Sequence, residues 1–123
     1  MATMSAFENP CLDHIEKRLN IHDYLVEQED ATFFVTLCSL SMRDLGMLPK
    51  DIVVVNRAKN PVIGNIVLAA IDGVFTIKQL ARDNSGHMVL QSGNSDFKPV
   101  QINDGMDFQI WGVVTGVFRK IVP

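Results

Sequence analysis

From Ala31 onward the chain breaks into short runs of β-branched and aromatic residues, and no other feature constrains its fold as strongly. The runs are Thr32 to Cys38, Ile52 to Asn56, Asn65 to Ile71, Val74 to Ala81, His87 to Gln91, Pro99 to Ile102 and Phe108 to Ile121. Such residues suit the pleated, half-buried surface of a sheet, so the series predicts a mostly-β domain. Asp72-Gly73 is the strongest turn signal, because a type I′ turn needs positive φ at both central residues. A tight hairpin over Asn65 to Ala81 follows. The last run exceeds ordinary strand length and carries Gly112 and Gly116, which predicts bending or a bulge, as in a strand curling around a small barrel. Several runs are apolar on both faces, which predicts an exposed or intersubunit apolar surface.

With 123 residues, 47% of them hydrophobic, the chain can build one core. Charge divides it unevenly. Residues 1–30 hold seven acids and two bases, whereas residues 31–123 hold seven acids and nine bases. We therefore expect an acidic N-terminal arm over 1–30 and the β domain over 31–123. Within the arm, Asn20 followed three positions later by Asp23 is a helix-start signal, predicting a short helix over about 21–27. Leu12, Ile15 and Leu19 fit either a short amphipathic helix or an extended segment.

Several function classes lose support at this stage. The bases Arg43, Lys50, Arg57, Lys59, Arg82 and Lys98 are scattered rather than striped, so direct sequence-specific DNA binding is not expected. The longest apolar run, Ile66 to Ile71, is far short of the ~20 residues that cross a bilayer. The first residues lack the basic and apolar regions of a secretory signal, so the expected location is cytoplasmic, with no membrane partner. Cys11 and Cys38 are expected to be reduced, with Cys38 buried in its apolar run. His14, His22 and His87 show no metal-ligand spacing and no Gly-rich phosphate loop opens a helix, so neither metal nor cofactor is expected.

One pairing carries chemistry. Ser41-Met42 follows the first long run, and Lys78 lies inside Val74-Phe75-Thr76-Ile77-Lys78-Gln79-Leu80. Alternation places Lys78 on the face of Val74, Thr76 and Leu80, where its ammonium finds little solvent. Desolvation disfavours the charged form and lowers the lysine pKa, as a general base near neutral pH requires. Serine hydroxyls need such a base to become nucleophiles, and Ser-Lys is an established variant of the catalytic triad. Alone, the pair also fits a lysine that snorkels from its strand and a loop serine without special role, on a β-barrel interaction domain.

Four stretches resemble the UmuD branch of the LexA/UmuD family of self-cleaving peptidases, over roughly residues 6–118. Ala31-Thr32-Phe33-Phe34-Val35 leading to Ser41-Met42 is similar to the family's strand ending in S-G-x-S-M. Leu45-Gly46-Met47-Leu48-Pro49-Lys50-Asp51-Ile52-Val53-Val54-Val55 is similar to its G-I-x-x-G-D-hydrophobic stretch. The most specific stretch runs from Gly64 through Asp72-Gly73-Val74-Phe75-Thr76-Ile77-Lys78-Gln79-Leu80, similar to G-D-I-V-x-A-x-hydrophobic-x-G-x-F-T-V-K-x-L. Trp111-Gly112-Val113-Val114 matches the closing strand.

The resemblance implies a LexA/signal-peptidase-like β-ribbon or small curled barrel with an extended N-terminal arm and one short helix. It implies Ser41 as nucleophile and Lys78 as general base, with backbone N–H groups near Ser41 holding the oxyanion. It departs at Cys38-Ser39-Leu40, where the family usually has Ser-Gly-Asp. Family members cut their own arm at an Ala-Gly or Cys-Gly bond, whereas the first glycine here is Gly46, so the resemblance implies the processed form. The implied role is a homodimeric accessory subunit of an error-prone translesion polymerase in the SOS response. Its partners would be a UmuC-like Y-family polymerase subunit and the RecA-DNA filament. The alternative is a stand-alone Ser-Lys peptidase that cleaves other proteins in trans.

Overall fold

The computed structural model describes residues 18–122. Most of the expected acidic arm, with Cys11, His14 and the segment around Leu12 and Ile15, lies outside the described residues. Among the described residues one short α-helix, α1 (Ile21–Leu25), is followed by seven strands: β1 (Thr32–Thr36), β2 (Ile52–Asn56), β3 (Ile66–Ile71), β4 (Val74–Arg82), β5 (Met88–Gln91), β6 (Val100–Gln101) and β7 (Phe108–Phe118). They form a single antiparallel sheet in the order β1-β2-β7-β3-β4-β5-β6, curled into a half-barrel.

Helix α1 starts where the Asn20 signal places it. The Asn20 side chain accepts a hydrogen bond from the Asp23 N–H at 3.1 Å. It stops at Leu25, two residues earlier than expected, with Val26 already extended. A helix this short has too few internal bonds to stand alone. Its tertiary anchor is Leu25, which packs over β7 so closely that a Cβ at Gly116 would stand 2.9 Å from Leu25 Cδ2.

The β3–β4 hairpin pairs Ile71 with Val74 across Asp72-Gly73, with φ of 50° and 83° at the two turn residues. Both are positive, as the turn type demands. Strand β7 is the spine of the sheet and pairs with β2 on one side and β3 on the other. Its register slips against β3 between Ile110 and Gly112, and against β2 between Val114 and Gly116, so Trp111 and Thr115 are the extra residues of two bulges. Each bulge abuts one of the two glycines. A Cβ at Gly112 would lie 2.6 Å from Val55 Cγ1 and 3.0 Å from the Asn56 carbonyl oxygen, so β2 and β7 approach each other only because that side chain is missing.

Bending lets the sheet bury two clusters. One gathers Leu37, Met42, Met47, Val53, Val55, Leu68 and Ile77, and the other Val67, Ala69, Leu80 and Leu90. Strand β3 feeds both, Leu68 into the first and Val67 with Ala69 into the second, which is why its run is apolar on both faces. Phe34 and Phe118 meet edge-to-face at 6.2 Å and remain half or more than one-third exposed.

Strand β1 ends two residues before its expected limit. Leu37 still exchanges backbone bonds with the β2 side, its N–H donating to the Asp51 carbonyl and its own carbonyl accepting from Lys50 N–H. Alternation then buries Leu37 and turns the next side chain outward. Cys38 is a free, exposed thiol, so its expected burial is wrong: neighbouring apolar residues do not decide which face of a strand a residue takes.

Gly112→Ala is expected to destabilise the domain by about 1–3 kcal/mol, because the added methyl must displace Val55 and the β2 backbone. Gly105→Ala, whose Cβ would meet nothing closer than 3.6 Å, is the control and should change stability little. Urea unfolding of the two variants checks this.

Candidate active site

Ser41 sits in the loop between β1 and β2, and three separate attachments hold that loop. The first is apolar: Met42, directly after Ser41, is completely buried and its carbonyl accepts from the Leu45 and Met47 N–H groups. A single 3₁₀ turn, Arg43–Leu45, follows and ends at Gly46, in the left-handed region at φ 82°.

The second attachment is Asn94, from the segment after β5. It is only 4% exposed. Its Nδ2 donates to the Leu40 carbonyl at 3.0 Å, while its Oδ1 accepts from Arg43 Nη2 at 3.3 Å and from the Asp96 N–H at 3.0 Å. Alongside it the Gly93 carbonyl accepts from the Asp44 N–H at 2.6 Å. A Cβ at Gly93 would be 2.8 Å from Leu45 Cγ and 3.3 Å from Met42 Cα, so this approach also needs glycine.

The third attachment is ionic. Buried Asp51 receives Arg119 Nε at 2.7 Å and Nη2 at 2.8 Å, and the same Nη2 donates to the Gly46 carbonyl at 2.6 Å. The Leu48 N–H adds a further bond to Asp51 at 2.9 Å. The Arg119 hydrogen bonds hold the Asp51 carboxyl below the usual carboxylate range, against the opposing effect of burial. This pair fastens the chain just beyond β7 to the far end of the Ser41 loop.

Lys78 comes from mid-β4, opposite Val67 of β3. Its Nζ donates to Ser41 Oγ at 2.7 Å, and the two residues are 9% and 2% exposed. The two sequence-predicted site residues, 37 positions apart, are thus brought into direct contact. Burial pushes the Lys78 ammonium below the ordinary lysine range. Phe97 lies 5.9 Å from Nζ, close enough for its ring face to attract the cation.

Ser41 opens onto a cleft of about 260 Å³ whose walls include Val35, Cys38 and Ser39 on one side and Phe75, Thr76 and Ile77 of β4 on the other. A second, wholly apolar hollow, lined by Phe33, Val35, Leu68, Phe75 and Trp111, shares part of the same wall. Phe75 and Trp111 meet edge-to-face at 5.2 Å, and Arg57 covers the Trp111 ring at 4.7 Å. A buried amine against a serine hydroxyl, beside a mainly apolar cleft, can activate that hydroxyl toward a carbonyl in an extended chain. Among the described residues no group of three His, Cys, Asp or Glu could hold a metal ion, and no helix is long and apolar enough to cross a membrane.

Residues 4–115 match the Peptidase S24-like family. The chain belongs to that family. Membership indicates a serine peptidase of the self-cleaving class. Protein SamA of Salmonella typhimurium is 32% identical over 117 residues, which cover 94% of this chain and 79% of SamA. Protein MucA of Salmonella typhimurium is 34% identical over 112 residues, 90% of this chain and 75% of MucA. The LexA repressor of Cupriavidus taiwanensis is 33% identical over 108 residues, and the match spans 49% of that longer protein. The resemblance to the LexA/UmuD family is thereby established for most of the chain.

Reading the sequence alone misses the supports of this S24-like site. Asn94-Ser95-Asp96 has the composition of an ordinary turn, and nothing local ties Asn94 to Leu40, 54 residues away. Only Gly93, next to it, hints at a close backbone approach.

Asn94→Ala removes three hydrogen bonds and leaves the Leu40 carbonyl without this donor. It should cost about 1–3 kcal/mol of stability. Any cleavage activity should fall through kcat rather than KM, since the cleft lining is untouched while the Ser41 loop loosens. Thermal unfolding and steady-state kinetics on the same variant check both.

Proposed function

We propose that the chain works as a processed, UmuD-like homodimeric accessory subunit of an error-prone translesion polymerase in the SOS response. It retains Ser41 and Lys78 as a catalytic dyad. Family membership and the likeness to SamA and MucA support the setting, and the 2.7 Å contact between a buried lysine and Ser41 is the observation that carries the chemistry. The working location is the cytoplasm. Its partners in this reading are a UmuC-like Y-family polymerase subunit and the RecA-DNA filament. Those partners supply the DNA contacts, in keeping with the scattered bases of this chain.

The chemistry follows from the geometry. Once Lys78 has lost its proton, the neutral amine accepts the Ser41 hydroxyl hydrogen as Oγ bonds to the carbonyl carbon of the scissile peptide. The carbonyl oxygen becomes an oxyanion held by backbone N–H groups near Ser41. Collapse breaks the C–N bond, and the Lys78 ammonium returns the proton to the leaving amine. Water, deprotonated by the same lysine, then hydrolyses the acyl-serine. The cleft beside Ser41 also favours a second reading, a peptidase acting in trans on other proteins.

The dyad is tested with a UmuD-like substrate whose own nucleophile is disabled. Arm cleavage should rise between about pH 7 and pH 10 as Lys78, its pKa depressed by burial, deprotonates. It should vanish in Ser41→Ala and Lys78→Ala. No cleavage at any pH, with the substrate shown to bind, overturns the dyad and leaves a binding subunit. The polymerase setting is tested separately, in cells lacking their own UmuD-like subunit. Expression of this chain with a UmuC-like partner should restore damage-induced mutation, and an unchanged mutation frequency overturns that setting.

A further inference from the structure

The nucleophile's own backbone donor is already in use. The Ser41 N–H donates to Ser39 Oγ at 3.0 Å, in a partly buried position. An N–H carries one hydrogen, and a strong second acceptor can take it only by displacing the first. In acyl transfer by a serine, the N–H of the nucleophilic residue lies next to Oγ and is a natural donor to the oxyanion. We propose that Ser39 is a built-in brake: its hydroxyl occupies the oxyanion-binding N–H of Ser41 and must rotate away before a substrate carbonyl can use it. This proposal rests on Ser41 being the nucleophile.

Four observations agree with it. Ser39 and Ser41 line the same cleft, so the hydroxyl sits on the side from which a substrate carbonyl would arrive. Release needs no backbone movement, because turning χ1 of Ser39 breaks the contact and Ser39 is not fully buried. The loop on either side is fixed independently, by Asn94 at the Leu40 carbonyl and by the burial of Met42, so Ser39 is not needed to hold Ser41 in place. Position 39 is also where the sequence departs from the glycine of the family pattern, and a glycine offers no side chain to fill the donor. The contact has the form of a serine turn, and it acts here on an N–H placed to hold the oxyanion.

Turnover by the native chain, Ser39→Ala, Ser39→Gly and Ser39→Thr is compared on a peptide that spans a UmuD-like arm. Removing the hydroxyl should raise kcat by roughly threefold to tenfold, the equivalent of one exchanged hydrogen bond, with KM unchanged. Ser39→Thr keeps the hydroxyl and should behave like the native chain. Hydrogen exchange of the Ser41 amide reports the same contact without substrate and should speed up in the alanine and glycine variants. Cleavage that is unchanged or slower in Ser39→Ala, or Ser41 exchange that does not change, overturns the brake while the dyad stands. No cleavage from any form defeats the Ser-Lys reading first and this proposal with it.

Discussion

Strand β7 makes the molecule one sheet. The order β1-β2-β7-β3-β4-β5-β6 consists of an early pair and a later four-strand unit with only β7 between them. Ser41 lies in the loop that joins β1 to β2 of the early pair and Lys78 belongs to the later unit, so the halves of the sheet that carry them are joined by a strand that neither residue occupies. The two bulges and the two glycines of β7 are the local means: they let an eleven-residue strand bend while staying paired on both sides. Curvature of the sheet is therefore a condition of the Ser41–Lys78 contact as well as of the core.

Lys78 is desolvated, and desolvation alone would make a buried lysine a liability. Its hydrogen bond to Ser41 and the nearby Phe97 ring offset that cost, while burial still holds the amine below the ordinary lysine range. The serine side is organised by more partners. Met42 anchors the loop through burial, Asn94 through neutral hydrogen bonds and Asp51 with Arg119 through charge. These attachments differ in physical origin, so salt screens the ionic one more than the apolar one.

Local rules made much of this legible in the sequence. Asp72-Gly73 marked the hairpin because positive φ is a local demand, Asn20 with Asp23 marked the start of α1, and Gly112 with Gly116 marked the bends of β7. Lys78 stood out because a charged residue in a strand must be explained. Strand ends were less legible: β1 stops at Thr36, β5 begins at Met88, β6 shrinks to Val100–Gln101 and β7 ends at Phe118. Cys38 was misplaced because apolar neighbours say nothing about which way a strand faces. Asn94 and the Asp51–Arg119 pair were invisible because their partners lie 54 and 68 residues away, beyond the reach of periodicity or turn chemistry.

The dependence on β7 also sets an order of events during synthesis. A nascent chain that has emerged only as far as β6 already contains Ser41, Lys78 and Asn94 but has no strand to join the two halves of its sheet. The ion pair that closes the serine loop waits longer still, for Arg119 just beyond β7. Synthesis in chain order thus delivers the serine loop and the lysine strand before the strand that joins their halves of the sheet.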